Sequence, residues 1–169
     1  MGTPKWVRRR RRAALWIFLV LLAALQILRP DLGGPASDPS ATLLVRLQPE
    51  APVAALLQRS CDDCHGVATA WPWYAQVVPA SWLIAYDVDE AKEYVDFTRW
   101  AGYEPARQHE LLEEMCDEVR RGKMPLGRYL WLHKDARLSP ADVELLCAWT
   151  EREREKLSAP AAPGAPPAP

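Results

Sequence analysis

Apolar and polar positions along this 169-residue chain fall into helical periods, and no alternating run long enough for a strand interrupts them. The longest apolar run covers residues 13–28, is broken only by Gln26, and follows five arginines, Arg8, Arg9, Arg10, Arg11 and Arg12. Residues 30–42 are rich in Gly, Pro, Ser and Asp and read as a linker. Leu43, Leu44 and Leu47 open a new apolar pattern that Pro49 interrupts. Pro52 suits the first turn of a helix whose apolar face, Val53, Leu56 and Leu57, runs into Cys61. Pro79 and Ser81 open the next helix, with Trp82, Leu83, Tyr86 and Val88 expected to face inward, and Phe97, Trp100 and Tyr103 follow in an expected loop. Pro105 begins a helix that Gly122 ends, with Leu111, Leu112, Met115, Cys116 and Val119 as its buried stripe. Ser139-Pro140-Ala141-Asp142 gives the last helix an N-cap serine, a proline at the first helical position and an acid at the third. Its apolar face is Val143, Leu146, Cys147 and Trp149 or Thr150, and the alternating charges of residues 151–156 suit a solvated helix end.

The fold class predicted is therefore all-α. Its segments are a basic flank (1–12), an apolar helix (13–29), a linker (30–42), a helical domain (43–157) and a Pro/Ala tail expected to be disordered (158–169). The sixteen-residue apolar run is a little short of the roughly 20 residues that fill a bilayer core. Trp16 and the stems of the flanking arginines extend its reach. The positive-inside rule keeps those arginines in the cytoplasm and sends the rest of the chain across. Residues 29–34 lack a good A-x-A site, so an uncleaved anchor is expected rather than a removed signal peptide. The expectation is a single-pass protein of the bacterial inner membrane, with its main domain periplasmic.

The formal net charge of −1 hides a strong asymmetry. Residues 1–29 carry seven basic side chains and no acidic one, whereas from Pro30 onward there are 14 basic and 22 acidic, a net −8. An acidic body argues against nucleic acid, whose phosphates need clustered Lys and Arg. It suits a protein partner that presents a basic patch. Four cysteines are too few to build a scaffold of disulfides, and eight tryptophans suit either a large flat apolar object or an aromatic core.

Residues 61–65 read Cys-Asp-Asp-Cys-His, the C-x-x-C-H pattern of covalent haem attachment. Two thiols at this spacing add to the two haem vinyl groups, and the next residue, His65, then meets the iron as proximal ligand. A thioredoxin-like pair would sit beside a βαβ pattern, and none is visible. A zinc site needs a second ligand pair at close spacing, but Cys116 and Cys147 stand apart from one another. A plain disulfide between Cys61 and Cys64 would make the chain a structural module, and a colourless one.

For the sixth iron position the pattern favours Met124, which lies 59 residues after His65, between the helix terminator Gly122 and Pro125. Histidine–methionine ligation raises the reduction potential. His133 is the alternative, Met115 reads as core filler and His109 as solvated. Trp71-Pro72-Trp73-Tyr74 reads equally as a wall against the haem edge or as core filling, and Trp82 and Trp100 carry the same two readings. Cys116 and Cys147 lie on the apolar faces of two helices, where they either form a disulfide or pack as free thiols.

Taken in order, these features resemble the bacterial, membrane-tethered haem-binding domain family, which is cytochrome c-like. The resemblance covers roughly residues 26–149. It rests on residues 26–30, Cys61-Asp62-Asp63-Cys64-His65, Thr69, Trp71-Pro72-Trp73-Tyr74 and Pro79-Ala80-Ser81-Trp82. It continues through Phe97-Thr98-Arg99-Trp100, Gly122-Lys123-Met124-Pro125, Tyr129, His133, Leu138-Ser139 and Trp149. The chain departs from the family at Gly66-Val67, where Ser-Asn is common, and at residues 92–95, where Gly-Arg is. The resemblance implies a helical domain around one covalent haem c, with Cys61 and Cys64 as attachment points and His65 as proximal ligand. Its M-P element falls on Met124-Pro125 and its recurrent histidine on His133. The function expected is one-electron transfer to a redox partner rather than catalysis. A sensor or peroxidase-like enzyme with an open or exchangeable sixth position is the alternative.

Overall fold

A computed structural model describes residues 4–32, 38–66 and 71–158. Residues 33–37 of the expected linker, the small-residue stretch 67–70 with Thr69, and the tail from 159 onward lie outside the described residues. The regular elements described are all helical, in agreement with the pattern above. They are α1 (Lys5–Leu25), α2 (Leu43–Leu47), α3 (Ala51–Ser60), α4 (Asp62–His65), α5 (Ala80–Tyr94), α6 (Pro105–Arg120) and α7 (Pro140–Ser158), joined in part by single turns of 3-10 helix. The chain divides into two compact units, Met1–Pro35 with Ala70–Glu90, and Ala36–Thr69 with Ala91–Pro169.

In the first unit, α1 runs into a 3-10 turn at Gln26–Leu28, and no residue of either is buried. Together they make one helix of 24 residues, long and apolar enough to cross a membrane. The arginines lie inside this helix rather than ahead of it. Gln26, the single polar break in the apolar run, has a structural use. Its carboxamide NH2 donates to the carbonyls of Leu22 (2.8 Å) and Val78 (3.3 Å), and its oxygen accepts the Val78 N–H at 2.9 Å. Such an amide satisfies the backbone groups of the fully buried Val78, which would be costly to leave unpaired. Two residues further, the Leu28 carbonyl accepts the indole N–H of Trp82 at 2.9 Å.

One expectation for α5 fails. Trp82, Leu83 and Tyr86 do not face inward; they are 41%, 51% and 60% exposed. The buried stripe runs through Ser81, Val88 and Ala91 instead. At about 100° per residue the two sets occupy opposite faces of the helix. The pattern therefore offered two apolar faces, and the one with small side chains, which lets backbones approach closely, is the packed one.

In the second unit the core gathers Leu43, Val53, Leu57, Leu111, Leu112 and Leu146 around the fully buried rings of Trp100 and Trp149. α6 and α7 pack along each other, and a disulfide joins Cys116 to Cys147 with a Cα–Cα distance of 4.9 Å. α7 starts as its sequence signature predicts. The Ser139 N–H and hydroxyl both donate to Asp142 Oδ2, at 2.9 and 2.8 Å, and the Asp142 N–H returns a bond to Ser139 Oγ at 3.1 Å. This reciprocal box satisfies donors that a helix start leaves orphaned. The charged end of α7 is not wholly solvated, since Glu153 is buried and accepts from Lys156 Nζ at 2.7 Å. The expected loop around Phe97 and Trp100 is a 3-10 turn, Phe97–Gly102, because Asp96 caps it by accepting from the Thr98 N–H and hydroxyl at 2.8 and 2.6 Å.

Candidate functional site

The C-x-x-C-H sequence sits where α3 gives way to α4. The Cys61 N–H still bonds to the Leu57 carbonyl of α3 (2.9 Å), but its own φ of −126° leaves the helical range. The Cys61 carbonyl then accepts from Cys64 N–H (3.2 Å) and His65 N–H (3.0 Å), closing the next turn. Spacings of three and four residues put Cys61, Cys64 and His65 on one side of that turn. Neither cysteine is in a disulfide. Burial, aided by the neighbouring Asp62 charge, pushes the Cys61 thiol up to about 12, so it stays protonated. The Asp62 carboxyl is itself raised to about 6 by burial and by Asp63. Gly66 closes the turn against Asp62: a Cβ there would stand 2.6 Å from Asp62 Oδ1 and 2.9 Å from its Cβ.

His65 is held on two sides. Its Nδ1 lies 2.9 Å from the Val95 carbonyl oxygen, and its ring stacks on Phe97 with centroids 5.4 Å apart and an interplanar angle of 30°. Desolvation lowers its pKa, so the ring is neutral near pH 7. A carbonyl only accepts, so Nδ1 carries the proton and Nε2 keeps the lone pair. The Val95–Phe97 segment that does this is braced in turn. The Asp96 N–H donates to the Tyr103 hydroxyl at 2.9 Å, and Asp96 Oδ2 pairs with Arg99 Nε at 3.0 Å.

A second histidine is presented in the same way. His133 Nδ1 is 3.1 Å from the Tyr129 carbonyl oxygen, and its ring stacks on that of Tyr129 at 4.0 Å and 11°. The Tyr129 hydroxyl donates to Asp63 Oδ2 at 2.6 Å, between the two cysteines of the motif. Burial and the Asp63 charge raise the Tyr129 pKa, which keeps the phenol a donor. The sequence marks Asp63, Phe97 and Tyr129 as carriers of the family resemblance but assigns them no contact with the motif, and the four-residue spacing from Tyr129 to His133 is the local signal for that stacked pair.

The other expected residues are distributed as follows. α6 ends in a Schellman turn around Gly122, whose φ is +66°, with Lys123 N–H on the Glu118 carbonyl (2.9 Å) and Gly122 N–H on that of Val119 (3.1 Å). The Met124 N–H reaches the same Glu118 carbonyl at 3.2 Å, and its half-buried side chain packs against the core, as that of Met115 does. His109 is half-buried rather than solvated. Trp100 is fully buried with its indole nitrogen unpartnered by protein. Trp71, Trp73, Tyr74 and Trp82 belong to the first unit, where Trp73 is 79% exposed and meets Tyr74 edge-on at 5.8 Å.

This donor set fits haem. Two thiols outside any disulfide flank one helical turn, the following histidine has its proton fixed on Nδ1, and the buried indole N–H of Trp100 lacks a protein acceptor. Trp131 and Leu132, beside His133, leave large apolar side chains in water, 77% and 68% exposed. Among the described residues no cluster of three or more His, Cys, Asp or Glu side chains suits a bare metal ion. Residues 20–152 match the model of the haem-binding domain family. The chain belongs to the haem-binding domain family. The match spans both the end of the apolar helix and the whole of α2 through the middle of α7, so the haem-binding domain embraces both units. Comparison with curated proteins and with solved structures finds no match.

Proposed function

We propose that this haem-binding protein is a c-type cytochrome, tethered to the outer face of the bacterial cytoplasmic membrane, that carries one covalent haem and passes single electrons. The observation that carries the reading is the bond from His65 Nδ1 to the Val95 carbonyl on a C-x-x-C-H turn. An acceptor of this kind fixes the tautomer and leaves the Nε2 lone pair for a metal, which His65 would hold. Cys61 and Cys64 are the attachment points. Each thiol would hold the haem through one C–S bond to a former vinyl group, the thiol hydrogen ending on the other vinyl carbon with no oxidant required. Haem, when bound, supplies a one-electron iron couple.

The remaining residues set its surroundings. Met124 is the proposed sixth ligand, supported by its place on the Schellman turn at the edge of the core, and His133 is the alternative. α1 supports the tether: it is the one described helix long and apolar enough to cross a membrane. Its arginines hold the N-terminus in the cytoplasm and leave the domain in the periplasm, where c-type haem is attached. The acidic body suits a redox partner with a basic patch.

An absorption spectrum of the protein matured with haem-attachment machinery tests this. A low-spin c-type spectrum, with the weak long-wavelength band of methionine ligation that Met124→Ala abolishes, is expected. A low-spin spectrum lost instead in His133→Ala exchanges the sixth ligand. A high-spin spectrum that shifts with carbon monoxide selects the sensor or peroxidase-like reading, and a colourless protein overturns haem attachment altogether.

A further inference from the structure

We infer that the first two turns of α5, with Val77 before them, are a second membrane contact: Val77, Trp82, Leu83 and Tyr86 sit in the headgroup layer of the bilayer that α1 crosses. This rests on the reading of α1 as a membrane anchor. Trp82, Leu83 and Tyr86 are 41%, 51% and 60% exposed and form one apolar face on the side of α5 opposite its packed stripe, and Val77, in the extended segment just before the helix, is 40% exposed. Contiguous apolar surface of this kind on a folded unit marks an interaction site.

Three observations choose lipid as the occupant. The first is level. Trp82 Nε1 donates to the Leu28 carbonyl and the Val78 backbone is clamped by Gln26, so the patch is fixed at the end of the 24-residue apolar helix. Leu28 and Ile27, at that level, are themselves 63% and 85% exposed, so the apolar surface of α1 continues into the patch. The second is composition. A tryptophan with its N–H satisfied and its ring exposed, beside a tyrosine, is the chemistry that collects at the junction of hydrocarbon and water. The third is polarity along α5. One turn past Tyr86 the same face carries the exposed Asp89, so the apolar character stops about two turns after Trp82, the residue bonded to the anchor's end. An amphipathic segment that meets an interface at one end and leaves it at the other has this pattern.

Site-directed spin labelling of the full-length, haem-loaded protein in phosphatidylcholine nanodiscs tests the inference. Cys61 and Cys64 are then consumed and Cys116 is bonded to Cys147, so an added cysteine is the single free thiol. Labels go on L83C and Y86C, with V20C marking the anchor and D89C marking water. Collision with oxygen, which concentrates in lipid, is compared with collision with a water-soluble nickel chelate. The expected result is a shift toward oxygen at 83 and 86, intermediate between 20 and 89. Nickel preference at 83 and 86 equal to that at 89, with oxygen preference kept at 20, overturns the second contact and spares the anchor. Shielding from both reagents at 83 and 86 assigns the face to protein and also overturns it. Nickel preference at 20 sinks the anchor and the contact together. All the labelled positions are exposed or half-exposed at the surface, so the variants keep the core intact.

Discussion

Tyr129 donates a 2.6 Å hydrogen bond to Asp63, and by it a turn 66 residues away is tied to the centre of the attachment motif. The same tyrosine stacks on His133 and accepts its Nδ1–H. Tyr129→Phe keeps the ring and removes the donor, taking one hydrogen bond from the Asp63 carboxylate. Loss of a hydrogen bond to a charged group puts the cost at about 1.5–3 kcal/mol. Urea unfolding of the haem-free protein measures it. Tyr129→Ala, which also removes the stack, is expected to cost more and to alter the haem spectrum if His133 is axial.

On the proposed attachment, Cys61→Ser and Cys64→Ser each remove one of two thioethers. Either single variant is expected to keep haem on a denaturing gel through the remaining bond, and the double variant to lose it. Haem staining of the gel reads the difference directly.

Phe97 supports the His65 ring and is 4% exposed. Phe97→Ala leaves a cavity where that ring now rests, at a cost of about 3–5 kcal/mol. The thermal midpoint is expected to fall. In the haem-loaded protein, a mixed-spin spectrum is expected as the imidazole loses its fixed orientation.

Reduction of the Cys116–Cys147 bridge, whose cysteines are 31 residues apart, is expected to destabilise the domain by about 3 kcal/mol through the loop it releases. Unfolding with and without dithiothreitol measures this. The Cys116→Ala, Cys147→Ala double variant is expected to match the reduced protein and to be insensitive to the reductant.

The α7 cap gives an acid limb to stability. Ser139's backbone N–H and hydroxyl hold the Asp142 carboxyl below its usual 3.8, and Arg59 pairs with it at 3.3 Å. A carboxyl whose folded pKa is depressed contributes stability above its unfolded pKa and loses it as pH falls through the folded value. Asp142→Asn is therefore expected to flatten the stability profile below about pH 4. Ser139→Ala is expected to cost about 1 kcal/mol at neutral pH.

Much of this was legible in the sequence because it is local. Helix starts at Pro52, Pro105 and Ser139, the stop at Gly122, and the C-x-x-C-H turn each depend on a few neighbouring residues. What stayed hidden depends on distant partners. Nothing in the spacing says that the Val95 carbonyl would meet His65, 30 residues earlier, or that Tyr129 would reach Asp63. α5 misled for a different reason: it carries two apolar faces, and periodicity cannot rank them when the packed one is made of serine, valine and alanine. Gln26 looked like a flaw in an apolar run until its partner, Val78, was known.

The bridge between α6 and α7 also changes the topology of the chain. Everything from Cys116 to Cys147 is a covalent ring, and Gly122, Met124, Tyr129 and His133 all lie on it. Both candidates for the far side of the iron thus ride on a cyclic peptide whose circumference is fixed once oxidation has occurred. With both thiols reduced that ring is an open segment, and the candidate ligands are tethered to the core only through the chain. Once oxidised it is a hoop, so one sulfur–sulfur bond shortens the tether of both candidate ligands to the α6–α7 pair.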